Sequence, residues 1–160
     1  MRIPAAALLV LLPFGATPAR AQSDAIHMID AVFQMFDADR DGYITLPEAN
    51  LFIDKTFAEM DPKKTGRITP QAWLQFSFGL ADIAADWDRS DAYDRAKLKI
   101  FRRWDVNHDK TLSLEEYRAG VLGEARIGVG RGAKEAEPLR IDLAAFKRAP
   151  FLRQLLNSLH

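Results

Sequence analysis

Between Asp37 and Glu48 the chain reads D-A-D-R-D-G-Y-I-T-L-P-E, and no other stretch restricts the fold as much. Carboxylates stand at alternate positions in Asp37, Asp39 and Asp41, and a fourth, Glu48, closes the run. A hard divalent cation such as calcium takes roughly six to eight oxygens at about 2.3 to 2.6 Å, and a short loop can supply most of them when its acids alternate. Gly42 falls where such a loop turns sharply through a left-handed conformation that glycine adopts at little cost. A solvated acidic turn that merely caps a helix would not need all these constraints at fixed offsets.

The stretch resembles the calcium loop of the EF-hand (calmodulin-like) superfamily. The resemblance implies that Asp37, Asp39 and Asp41 are ligands one, three and five, the Tyr43 carbonyl the seventh, Thr45 the ninth (often through a water) and Glu48 a bidentate twelfth. It also implies an all-α fold, EF-hand helix-loop-helix repeats in two lobes with short β-like pairing between loops. Ile29, Val32, Phe33 and Phe36 recur at helical spacing before the loop, so Ala25 to Phe36 is the expected entering helix. After it, Pro47 suits a first helical turn, and Leu51, Phe52, Thr56 and Phe57 are expected to face the core.

Asp105 to Glu116, D-V-N-H-D-K-T-L-S-L-E-E, repeats the pattern. By the same resemblance Asp105, Asn107, Asp109, the Thr111 carbonyl, Ser113 and Glu116 are its ligands, which makes two Ca2+ sites in all. Lys110 replaces the glycine, and holding a Cβ-bearing residue in the left-handed region costs about 1 to 2 kcal/mol. The second site is therefore expected to bind roughly five- to thirtyfold more weakly. Two further stretches keep the outline without the ligands. Asp61 to Ala72 retains Gly66 and Ile68 but has Lys63 and Ala72 at the third and twelfth positions. Aligning Ile141 with the eighth position of a fourth loop places Lys134, Ala136, Pro138 and Ala145 where ligands should be.

Between Glu48 and Asp61 there is room for one helix of about 18 Å. That helix must serve as exit of one hand and entrance to the next, a spacing that resembles bacterial exported EF-hand proteins more than calmodulin. Which loops join through Ile44, Ile68, Leu112 and Ile141 is left open by this spacing. The polar break at Asp86 to Ser90 divides an expected hand pair over residues 22–85 from a second over 86–160.

Trp73, Leu74, Phe76, Phe78 and Leu80 lie in an expected helix over residues 70–84, as core or as the lining of a ligand pocket. On the helix over residues 91–104 the bases Arg95, Lys97, Lys99, Arg102 and Arg103 form an expected solvated face, with a phosphate or lipid contact as the alternative. The amphipathic tail from Pro150 to His160 either closes the second core or fills a groove meant for a target peptide.

Met1-Arg2, the apolar run Ile3 to Leu12 and the ending Ala19-Arg20-Ala21 have the three parts of a signal peptide, so residues 1–21 are expected to be removed near Ala21 and the protein to be periplasmic or secreted. Pro13, Gly15 and Pro18 interrupt the run too early for a membrane span. With 22 basic against 22 acidic residues and no basic stripe, nucleic acid is not an expected partner. No cysteine is present, so no disulfide framework exists. Scattered histidines and the lack of any nucleophile or phosphate-loop motif argue against an enzyme. Two functions are expected from what remains: a calcium-responsive module with a protein or peptide partner at an apolar groove, or a buffering or structural protein that holds its ions constitutively.

Overall fold

The structure, a computed structural model, describes residues 18–130 and 138–160. Most of the expected leader, and Lys134 and Ala136 of the fourth loop, lie outside the described residues. The chain runs α1 (Pro18–Phe36), β1 (Tyr43–Thr45), α2 (Leu46–Met60), β2 (Arg67–Ile68), α3 (Pro70–Gln75), α4 (Ala81–Asp86) and α5 (Ser90–Trp104). It continues through β3 (Leu112–Ser113), α6 (Leu114–Val129), β4 (Arg140–Asp142), α7 (Leu143–Arg148) and α8 (Pro150–Asn157). The all-α class with short strands between loops is thus the class expected.

Local chemistry sets the helix starts. Thr45, Thr69, Ser113 and Asp142 each occupy the ninth loop position in extended conformation and become the N-cap of the next helix. The side chains of Thr69, Ser113 and Asp142 accept the amides of Ala72, Glu116 and Ala145, which satisfies an amide that a helix start leaves unpaired. Pro47, Pro70 and Pro150 fit the first turns they occupy, where no backbone N–H is required.

The strands pair across the expected boundary. Antiparallel β1 and β4 place Ile44 opposite Ile141, and antiparallel β2 and β3 place Ile68 opposite Leu112. All four of these side chains are buried. The loop pairing that the spacing left open is thereby set: loop one joins loop four, and loop two joins loop three. Helix length is the cause. Loops one and two sit at opposite ends of α2, whose 15 residues span about 22 Å, and cannot face each other. The same holds for loops three and four across α6. The two small sheets therefore close opposite ends of an α2/α6 pair, which is knit together by the Thr56 and Tyr117 hydroxyls at 2.9 Å and by the Arg118–Asp54 ion pair.

One core runs through both halves. Trp73 packs edge-on against Phe78, Phe101, Trp104 and Tyr117, while Phe36 stacks on Phe52 and meets Phe146 edge-on. Leu152, Leu155 and Leu159 of the tail are buried in it, so the tail closes the core. Leu51, expected inside, is 69% exposed, because the buried stripe of α2 runs instead through Ala49, Ile53, Thr56, Phe57 and Met60.

Two other expectations change together. The helix over residues 70–84 is broken into α3 and α4 by a turn at Phe76–Leu80, in which Phe78 and Gly79 both have positive φ. Lys97 is no part of a solvated face: it is buried, and its Nζ donates to the carbonyls of Leu74 at 2.6 Å and Phe76 at 2.7 Å. An ammonium that takes up the last carbonyls of α3, with Tyr93 donating its hydroxyl to the Ser77 carbonyl, fixes the break. Arg95, Lys99, Arg102 and Arg103 do face outward, although Arg103 also pairs with Glu124.

Helices α6 and α7 meet at Gly128, where a Cβ would lie 2.3 Å from the Ala145 carbonyl oxygen. Because the obstacle is backbone, Gly128→Ala is expected to force the helices apart and lower stability by about 1 to 3 kcal/mol, read as an earlier midpoint in urea unfolding.

Candidate metal centre

In loop one the acids first organise their own backbone. Asp37, buried at the end of α1, accepts the Asp41 amide at 3.1 Å and the Gly42 amide at 3.0 Å on its two oxygens. Asp39 accepts the Asp41 amide, and Asp41 the Tyr43 amide. Gly42 has φ +86 with nothing within 4 Å of where a Cβ would be, so its requirement is conformational and not one of space. From the first turn of α2 Glu48 reaches back over the loop. One oxygen accepts the Ala38 amide at 2.9 Å, and the other accepts the Thr45 amide at 2.8 Å and hydroxyl at 2.7 Å. Burial would raise the Glu48 pKa, but the hydrogen bonds from Thr45, Ala38 and Asp39 outweigh it and hold the carboxyl below its usual range.

Asp37, Asp39 and Glu48 each offer an oxygen within 4.8 Å of the others. Oxygens about 2.3 to 2.6 Å from one ion lie at most about 5 Å apart, so the three fit a single calcium shell. Asp41 stands to one side: its second oxygen lies 3.4 Å from the Arg140 guanidinium of β4, which also covers the Tyr43 ring at 4.2 Å.

Loop three has the same frame. Asp105, also buried, accepts the amides of Asp109 and Lys110, and Asn107 Oδ1 accepts that of Asp109. Glu116 takes the Ser113 amide at 3.0 Å and hydroxyl at 2.9 Å, which with the weaker Asn107 amide bond overcomes burial and lowers its pKa. Lys110 has φ +67, the left-handed conformation that the missing glycine makes costly. Asn107 stands where loop one has Asp39, so only Asp105 and Glu116 supply carboxylates at the positions of the loop-one triad. Asp109 is turned away, with one oxygen on Thr111 and the other on Arg67 at 2.6 Å.

Loop two retains the backbone without the ligands. Lys64 and Gly66 repeat the positive φ values that Arg40 and Gly42 show in loop one and His108 and Lys110 in loop three. Its single acid, Asp61, accepts the Thr65 amide and hydroxyl on one oxygen and the Gly66 amide at 2.6 Å on the other. Asp61 thus serves the turn itself, and the Thr65 amide leads the bonds that lower its pKa. His27 and His108 are exposed and distant in role from these ligands.

A sequence model of the EF hand family matches residues 29–48, which span the end of α1, loop one and the start of α2. The chain carries an EF-hand. No curated protein matches the chain significantly. An EF-hand binds calcium, and in this one the convergent carboxylates are those of Asp37, Asp39 and Glu48. When bound, the ion supplies positive charge that draws the loop oxygens together; the chain supplies their spacing. Among the described residues no helix is long and apolar enough to cross a membrane.

Among the described residues, Arg67 and Arg140, both outside the ligand pattern, contact an acid of loop three and of loop one respectively. Both stand at the seventh position of a ligand-poor loop, and that coincidence is the signal by which sequence reading could have paired them. A cavity of about 260 Å³ lies beside the EF-hand, walled by Met28, Val32 and Met35 of α1, Phe52 of α2, Phe78 of the break and Phe151 of α8.

Proposed function

We propose that the protein is an exported calcium-responsive binding module with two calcium sites, loop one the tighter and loop three the weaker. The observation that carries the responsive reading is the position of the apolar cavity, whose walls include both helices that flank loop one. Changing the angle between α1 and α2 changes the shape of that cavity directly, so calcium at loop one and an apolar partner in the cavity act on the same hinge. The partner is a protein or peptide with an apolar anchor, since the cavity wall offers aromatic and thioether surface and no charged side chain. Ligand spacing in Asp105, Asn107, Asp109, Ser113 and Glu116 supports the second site, and the lost glycine at Lys110 supports its lower rank. Export rests on the three-part leader over residues 1–21. No catalytic role is proposed.

A second reading, constitutive binding for structure or buffering, is favoured by the hydrogen bonds that already order both loops around their acids. A loop so ordered needs little rearrangement to take an ion. Calorimetric calcium titration followed by a hydrophobic-dye assay separates the two. A responsive module gains dye-accessible surface on binding; a constitutive site gains thermal stability with no new exposure. Two events of unequal affinity are expected, and dye fluorescence rising with the tighter one.

A further inference from the structure

Each ligand-poor loop presents an arginine to the loop it is paired with, and the two arrangements are equivalent. Arg140 of β4 stands opposite Thr45, and Arg67 of β2 opposite Ser113, so each faces the ninth position of its partner loop. Each guanidinium then reaches the fifth-position carboxylate: Arg140 lies 3.4 Å from Asp41 Oδ2, and Arg67 lies 2.6 Å from Asp109 Oδ2 with a further bond of 3.4 Å to Thr111 Oγ1. In loop one the carboxylate engaged this way is the one missing from the convergent group of Asp37, Asp39 and Glu48. In loop three the nearer arginine accompanies an acid turned wholly to Thr111, Asn107 and Arg67.

We propose that the ligand-poor hands serve as counter-ion donors, Arg67 for Asp109 and Arg140 for Asp41, competing with the cation for the fifth ligand and setting the affinity of each loop from across the ladder. This rests on the calcium reading above. A bound cation must either draw the carboxylate away from the guanidinium or share it, and both weaken binding; without the cation, the arginine relieves repulsion among the clustered acids. The pairs are half-exposed, so the effect is moderate and screened by salt.

The test is calcium calorimetry and calcium-free thermal melting of the full chain carrying Arg67→Gln, Arg140→Gln or Arg67→Lys. At low salt Arg67→Gln is expected to tighten the weaker event by about three- to tenfold and leave the tighter one unchanged, and Arg140→Gln to tighten the other by about two- to fivefold. Half-molar salt should shrink both gains, Arg67→Lys should stay near the parent affinity, and both glutamine variants should melt earlier when calcium-free. Parent protein that binds calcium while the glutamine variants bind it no more tightly overturns this proposal alone. A parent that takes up no calcium at millimolar concentration overturns it together with the calcium reading.

Discussion

Glu48→Gln is expected to abolish the tighter calcium event, with a loss on the order of 100-fold, or about 2.7 kcal/mol. The substitution removes one of the four formal charges in Asp37, Asp39, Asp41 and Glu48, and with it the second anionic oxygen needed for bidentate closure. The fold should survive. Glu48 accepts bonds from Thr45 and Ala38, and a glutamine carbonyl can still accept part of them. Calorimetry should therefore show one event in place of two, with calcium-free circular dichroism unchanged. Asp61→Ala provides the contrast, since it should remove neither event while loosening the turn whose amides at Thr65 and Gly66 it holds. Loss of a binding event in Asp61→Ala would mean that loop two binds the ion.

Lys97→Met is expected to cost about 3 kcal/mol of folding stability, measured by urea unfolding. It conserves length and apolar contact but leaves the Leu74 and Phe76 carbonyls without their donor. Because Phe76 and Phe78 line the apolar cavity, the same change should loosen that wall and raise dye binding without calcium. A pH dependence accompanies it. Burial pushes the Lys97 pKa down to about 8, against a weaker upward pull from Asp94. The unfolded chain therefore holds this proton more tightly than the folded one, and the contribution of Lys97 to stability rises with pH from about 8 toward its ordinary value of 10.5. Tyr117 acts in the opposite sense, since burial raises it to about 12 and its contribution falls as pH climbs from 10. Stability should pass through a maximum near pH 10 in the parent, and the rise between pH 8 and 10 should vanish in Lys97→Met.

What could be read from the chain was whatever lies within one loop. The alternate acids, the turn residue and the capping Thr45 or Ser113 act on neighbours a few positions away, so their spacing alone describes them. Strand pairing is different, being decided by where α2 and α6 carry the loops, and helix length was the clue to it. The break between α3 and α4 was hidden because Trp73, Phe76 and Leu80 keep a helical rhythm through it, while its causes, Tyr93 and Lys97, come from α5. Lys97 shares the stripe of Tyr93, Ile100 and Trp104, and that register outweighs its charge as a guide to position. The placement of Asp41 and Asp109 could not be read from their own loops, since the guanidinium groups that engage them arrive from the opposite half.

Each half of the chain supplies two strands, one to each ladder, so a half on its own carries two open strand edges. Those edges are complementary to the edges of the other half, whether or not the two are joined through residues 86–90. Neither half closes its own strand edges, so the order of each ladder depends on the presence of the other half.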